Sequence, residues 1–313
     1  ARPKGDLDTG SFLRSESTPP ITELAFRRSI ARSHFEDVGM YGLQRMPLFG
    51  DDFAEVQTIE ARLLASCDAL LGDALLVPEL EKVARDTPAP DPMRVFAMAF
   101  VAGTLDGRDA LAAAERTLYA HDPHDEGITE AFGAALALAP HPLASRVLTA
   151  LVEAPEPAVR ASSLRALSRR GPVDVNLLAA ACESDDAAII AAALPVLAVT
   201  QHPLAVQLLA EIARSRGGAA SAEDPAFAIA LWEALALARH EDAAAIPRQF
   251  LASALSGPAS LSLAIVGDAS DAAALVSSAH AAPTLASISA LGWSGTLAAV
   301  PTLLAALGND DFA

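Results

Sequence analysis

The densest group of possible metal ligands is the run His121–Glu126, which reads HDPHDE. Two imidazoles three residues apart beside carboxylates are donor types that bind zinc. A zinc site also needs distant third and fourth ligands, and this single local patch does not supply them. The same run is typical of an interhelical linker, in which Pro123 breaks one helix and Asp125 caps the next. We therefore expect a linker, and we predict neither a metal nor a cofactor.

Residues for covalent catalysis are not grouped in the chain. There is no Gly-x-Ser-x-Gly element, and neither Gly-rich phosphate-binding motif occurs. Cys67 and Cys182 lie far apart in apolar helical contexts, without a His partner in sequence, and are expected to be buried thiols in a reducing compartment. Most His residues stand at turns, where we expect them to cap the carbonyls of helix C-termini. The sequence predicts a protein that is not an enzyme.

Basic side chains concentrate on a few predicted helices. They are Arg94, Arg160, Arg165, Arg169, Arg170 and Arg239. Four of them follow one another at offsets of five, four and one, which we interpret as one broad side of a single helix. They could offer donors to an acidic partner segment, or they could form a solvated face with ion pairs to the abundant carboxylates. The last two could also stabilise the C-terminus of their own helix.

Two tryptophans, Trp232 and Trp293, stand on predicted inner helices. Tryptophan is a frequent interface anchor, but a lone indole in an Ala-rich stack can also fill space between layers. We take as candidate partner-binding residues Arg94, Arg160, Arg165, Trp232 and Arg239.

Composition points to helices and away from nucleic acid. Hydrophobic residues make up 52% of the 313 residues, but aromatic residues make up only 5%. Most of the hydrophobic residues are Ala and Leu, which favour closely packed helices. The net charge of −17 opposes the neutralisation of phosphates, so we predict no nucleic-acid partner and no anionic lipid partner. No apolar run is long enough for a membrane span, and we expect a cytoplasmic protein.

The helices that position these residues follow a rhythm from Asp91 onward. Predicted helices begin near Pro92, Arg108, Glu126, Pro142, Pro157, Val173, Ala187, Pro203, Pro225, Ala243, Pro258, Asp271, Pro283 and Leu297. Proline recurs at the first position, where its missing N–H costs nothing. The sequence HPLA opens two of the segments, at His141 and His202, and the pairing of helices predicts a repeat array.

The segment Pro155–Leu167, PEPAVRASSLRAL, resembles the inner helix of HEAT-like repeats, and weaker copies begin at Asp186 and Asp224. The segment Gly295–Leu307 resembles the outer helix of the same unit. The resemblance implies a right-handed α-solenoid whose inner helices line a concave groove. Such repeats serve diverse partners, so the resemblance predicts the fold far better than the function.

Short elements of the N-terminal part resemble an uncharacterised bacterial family of HEAT-repeat proteins. The matching elements are Glu23–Ala25, Ile59–Leu63, Leu70–Gly72 and Val95–Ala97. Some members of that family are encoded beside type VI secretion genes, which implies an accessory role in a multiprotein assembly.

These observations predict an all-α chain in three zones. Residues 1–19 form a polar tail, residues 20–90 an N-terminal helical region, and residues 91–313 a repeat array that stops within a repeat. In the second zone we expect helices over Ile21–Ser33 and Asp52–Leu71, with an irregular stretch from Phe35 to Phe49. In the array, Leu164 and Leu167 are expected in the core.

The predicted function is non-enzymatic: a scaffold or adaptor that binds a protein partner through the concave face. The alternative is a HEAT-like lyase-type enzyme or chaperone that acts on a pigment-carrying partner protein. A third class, a purely structural element within an oligomer, stays open.

Overall fold

A computed structural model describes residues 22–45, 53–71, 77–87, 89–200, 202–218 and 224–308. Within these ranges the chain is all-helical and contains no strand, which confirms that the fold is all-α. Both the polar tail predicted for residues 1–19 and the interrupted repeat predicted at residue 313 lie outside the described residues.

Seventeen α-helices follow one another in the described part of the chain, with 3-10 turns at Glu241–Ala243 and Leu297–Ala299. The helices are α1 Glu23–Gln44, α2 Phe53–Leu71, α3 Val77–Arg85, α4 Pro92–Ala102, α5 Arg108–Leu118, α6 Glu126–Leu138, α7 Ala144–Leu151, α8 Pro157–Arg170, α9 Val175–Cys182, α10 Ala187–Val199, α11 Pro203–Arg216, α12 Pro225–Leu237, α13 Ala245–Arg248, α14 Ser256–Val266, α15 Ala269–Ala281, α16 Leu285–Ser294 and α17 Val300–Leu307.

The helices pack in two rows. One row, here called the front row, consists of α1, α4, α6, α8, α10, α12, α14 and α16, and each member contacts the next. The helices between them form the back row and cover one side of the front row, as α5 does for α4 and α9 for α10. One continuous apolar core runs between the rows from Ala31 to Ala259, and a smaller cluster continues from Leu263 to Ala299.

Aspartate and proline define where the front-row helices begin. The side chains of Asp91, Asp125, Asp186 and Asp224 accept backbone N–H groups in the first turn of α4, α6, α10 and α12. These bonds satisfy donors that have no partner inside the helix. Proline stands in the first turn of α4, α8, α11 and α12, as predicted. Apart from the 22-residue α1, the front-row helices have 10 to 14 residues.

The N-terminal region differs from the prediction in two ways. Helix α1 continues to Gln44, so residues 35–44, expected to be irregular, are helical. The glycines of this stretch indicated an irregular segment, but they allow close packing between helices instead. A Cβ at Gly42 would overlap the ring of Phe96 in α4. The second difference is α3, which was not predicted and which buries Leu80 and Ala84.

A third difference from the prediction lies between α12 and α14. The helix predicted to begin near Ala243 is replaced by a 3-10 turn, the four-residue α13 and a series of turns. Pro247 lacks the backbone N–H that a longer helix would need here. The back row is therefore irregular at this point, and α12 and α14 pack less closely than the other neighbours of the front row.

The predicted core positions of α8 are confirmed. Leu164 is fully buried and Leu167 is nearly so. The predicted capping of helix C-termini by turn histidines fits His121, whose Nε2 donates to the Ala84 carbonyl in the last turn of α3 at 3.1 Å. The prediction was wrong for His141, His202 and His240, in which Nδ1 accepts the N–H of the second residue onward, at 3.0 to 3.2 Å. His202 and His240 thereby cap the start of α11 and of the 3-10 turn Glu241–Ala243, where N–H groups have no partner inside the helix.

Candidate partner-binding surface

The four arginines of α8 were predicted to share one side of the helix. In the structure they do not. Arg160 lies towards the back row, where its Nε donates to the Val152 carbonyl at 3.1 Å. Arg170 donates to the carbonyls of Leu136 and Ala139, at 2.7 and 2.6 Å, which close the C-terminus of α6. Burial lowers the pKa of Arg170. Both guanidinium groups therefore bond to the protein's own backbone.

Arg165 and Arg94 each pair with a carboxylate on the preceding front-row helix. Arg165 forms an ion pair with Glu130 of α6, and Arg94 forms one with Glu36 of α1 at 2.9 Å. These bonds join neighbouring front-row helices, so both arginines have a structural function already. Arg169, in the last turn of α8, is exposed.

Two further candidates lie elsewhere than expected. Trp232 is 1% exposed and packs against Phe250, with ring centroids 5.1 Å apart. It belongs to the core, so the space-filling alternative is correct for this indole and its candidacy as a partner-binding residue is not. Arg239 follows the end of α12 in a left-handed conformation, with φ of 52°, and is exposed. The five candidate residues therefore do not come together in one site.

The structure instead reveals an exposed apolar surface along the front row. We call it the front stripe, and it consists of Pro195, Val199, Leu237, Leu261, Ile265 and Trp293. Val199, Leu237, Ile265 and Trp293 are each between 60% and 65% exposed. The stripe crosses α10, α12, α14 and α16, which are consecutive in the row.

Charge is almost absent from the helices that carry this stripe. The sequences of α10, α14 and α16 contain no charged residue, and α12 contains only Glu233. In the back row, α11 presents Glu211 and Arg214 to solvent and α5 presents Arg116, whereas α9 and α17 contain no charged residue. In a chain with a net charge of −17, these four consecutive front-row helices thus present only one charged side chain, Glu233, to solvent.

The front stripe was not predicted from the sequence, where the partner-binding candidates were four arginines and Trp232. The available signal was the absence of charge: a helix with one exposed face normally places polar residues there. In α10, the exposed positions are occupied by Ala188, Pro195 and Val199 instead.

The remaining chemistry of the described residues is sparse. They include no group of three or more His, Cys, Asp or Glu side chains placed to hold a metal ion. Burial raises the pKa of the Cys182 thiol to about 11, and burial also raises the pKa of the Cys67 thiol. Both changes disfavour the nucleophilic thiolate. None of the helices in the described part is long and apolar enough to cross a membrane.

No family model, curated protein or solved structure matched this chain when it was compared with them. The front stripe is consequently interpreted from its own geometry.

Proposed function

We propose that the chain is a right-handed α-solenoid of HEAT-like repeats that binds a protein partner on its front row. The proposal is supported by the regular alternation of front and back helices and by the repeated Asp and Pro caps. Each pair buries its apolar side only against its neighbours, as repeat arrays do. In this proposal the front row is the concave side.

The observation that carries the proposed function is the front stripe. Exposed leucine, isoleucine, valine and tryptophan on four consecutive helices form an apolar surface of the kind that protein partners cover. No catalytic role is proposed, because the described residues next to the stripe offer one carboxylate, Glu233, and no base or nucleophile paired with it. The chain would act as a scaffold or adaptor within a multiprotein assembly.

In this proposal the protein works in the cytoplasm, where the thiols of Cys67 and Cys182 stay reduced. The partner would contact the front stripe mainly through apolar side chains. Binding should therefore depend only weakly on salt, in contrast to a partner held by the arginines of α8.

Two valines of neighbouring helices provide a matched test. Val199 of α10 lies on the front stripe and Val206 of α11 lies on the back row, and both are more than half exposed. Affinity capture from the native host, followed by mass spectrometry, would compare Val199→Glu with Val206→Glu. We expect Val199→Glu to lose the captured partner and Val206→Glu to retain it, because a carboxylate in an apolar interface must be desolvated.

Equal capture by the two variants would remove the front stripe from the binding site. Circular dichroism would control for folding, since both valines are exposed and neither substitution should change the helical signal.

A further inference from the structure

A groove of about 330 Å³ lies on the back row between α5 and α7, and we call it the back groove. It opens because α5 and α7 hardly contact each other, whereas α3 contacts α5 and α9 contacts α11. Each helix lines it with residues at offsets of three, four and seven, which share one helix face. These residues are Arg108, Leu111, Ala112 and Glu115 from α5, and Leu143, Arg146, Val147 and Ala150 from α7 and its N-cap.

The middle of the back groove is apolar. Leu111 is buried at its base, and Leu143 and Val147 are half-buried along its wall. Benzene occupies an apolar cavity of about 150 Å³, so a groove of about 330 Å³ accommodates two large apolar side chains. Two such side chains three or four residues apart lie on one face of a helix, and an amphipathic helix binds an apolar groove with that face.

Charged side chains stand at both ends of this apolar part. Arg108 is the first residue of α5, and Glu115 lies on the same face about 10 Å further along the helix axis. Because short turns join α5, α6 and α7, α5 and α7 run in the same direction. Arg146, in the first turn of α7, therefore lies towards the Arg108 end. The back groove is positive at that end and negative at Glu115.

The three charges have no partner in the described part of the chain. Neither an ion pair nor a side-chain hydrogen bond joins Arg108, Arg146 or Glu115 to another described residue. By contrast, Arg116 and Arg165 pair with carboxylates of neighbouring helices. Burial raises the pKa of the Glu115 carboxyl, so covering this carboxylate further without a cation would be unfavourable. An occupant must bring a carboxylate to the arginines and a cation to Glu115.

We propose that the back groove binds an amphipathic helix of a partner protein. This helix carries an acidic and a basic residue about two turns apart, with two large apolar side chains between them. The carboxylate pairs with Arg108 and Arg146, and the cation pairs with Glu115. The apolar side chains cover Leu111 and Val147. The inference goes beyond the proposed function, because it adds a second binding surface on the opposite row, with which a scaffold would join two partners.

The probe is a displayed library of helical peptides, built on an Ala-rich scaffold and randomised at four positions with offsets of zero, three, four and seven. The library is selected on the full chain. We expect enrichment of peptides with large aliphatic residues at the two inner positions and one acidic and one basic residue at the outer positions. These peptides should bind Val199→Glu as well as the unaltered chain, because Val199 lies on the front row.

A charge reversal tests the pairing. In Arg108→Glu/Arg146→Glu, the selected peptides should bind about tenfold more weakly or worse at low salt, because the carboxylate then faces two anions. Peptides in which the acidic residue is replaced by Lys should recover binding to this variant. The matched control is Arg169→Glu/Arg239→Glu, which changes two exposed arginines outside the groove and alters the net charge equally. It should bind the selected peptides normally.

Two results would overturn the back groove as a binding site. One is the absence of an acid-and-base pair among the enriched peptides. The other is equal binding of such peptides to the groove variant and to the control variant, which would indicate long-range repulsion instead of pairing. Circular dichroism checks that both variants keep their helical signal, as expected for exposed positions. The front stripe is tested separately, since peptide binding to the groove does not depend on whether Val199→Glu loses the natural partner.

Discussion

Replacing Gly133 with alanine tests the packing of the front row directly. Alanine is a better helix former than glycine by about 1 kcal/mol, so the exchange should stabilise an isolated helix. In α6, however, Gly133 faces α8 so closely that a Cβ would overlap Ser162 Oγ and lie 3.1 Å from the Ser162 carbonyl oxygen. That hydroxyl is fully engaged, because it donates to the Thr129 carbonyl at 2.6 Å.

The magnitude follows from these contacts. Overpacking a close helix contact costs about 1–3 kcal/mol, and losing the Ser162–Thr129 bond costs about 0.5–1.5 kcal/mol more. After the gain of about 1 kcal/mol in helix propensity, Gly133→Ala should lower the free energy of unfolding by roughly 0.5–3.5 kcal/mol. Gly292 of α16 is the matched control, because it is helical and exposed and a Cβ there meets no atom within 4 Å. Gly292→Ala should raise the free energy of unfolding by up to about 1 kcal/mol.

Urea unfolding followed by circular dichroism measures both variants. We expect the two variants to shift the urea midpoint in opposite directions. We also expect Ser162→Ala to recover part of the stability lost in the Gly133→Ala background. If Gly133→Ala shifted the midpoint upward as Gly292→Ala does, α6 and α8 could not approach each other as described.

Three other predictions concern the core, an ion pair and a thiol. Leu164→Ala should lower the free energy of unfolding by about 2–5 kcal/mol, because the side chain is fully buried, and a loss under about 0.5 kcal/mol in urea unfolding would place it on the surface. Asp271 accepts from Arg248 at 2.6 and 2.7 Å, and this bond is the main reason why its pKa is lowered. Because the pKa of Asp271 is lower in the folded than in the unfolded chain, its ion pair stabilises the fold at pH values above the unfolded pKa, near 4. That stability is lost as the pH falls through the folded-state pKa. In Asp271→Asn, the melting temperature should therefore decline less steeply below about pH 4. Burial raises the pKa of Cys182 to about 11, so labelling by a thiol reagent at pH 8 should be far slower in the folded chain than in urea, and equal rates would contradict the burial.

The regular part of the fold was predictable because its signals are local. Asp186 and Asp224 cap helices through bonds to residues two or three positions away, and the sequence shows such pairs directly. The end of α1 was not predictable in this way. In the sequence, Gly42 indicates a break in the helix. In the structure, glycine is needed there because the ring of Phe96, more than fifty residues further along the chain, packs against it.

The candidate site was predicted less well than the fold, for a similar reason. Arg165 was a reasonable surface candidate, but its pairing with Glu130 depends on how two helices stack. Apolar residues such as Val199 and Ile265 look the same in sequence whether a neighbouring helix covers them or not. Only the packing of α10, α12, α14 and α16 shows which side of each helix stays uncovered.

Site-specific photo-crosslinking in the native host tests the front stripe most directly. A benzophenone amino acid would replace Val199, Ile265 or Trp293 on the front row and, in parallel, Val206 on the back row. We expect a crosslink to the same partner protein from the three front positions and none from Val206. A partner crosslinked from Val206 alone, or equally from both rows, would contradict the assignment of the front stripe as the binding surface.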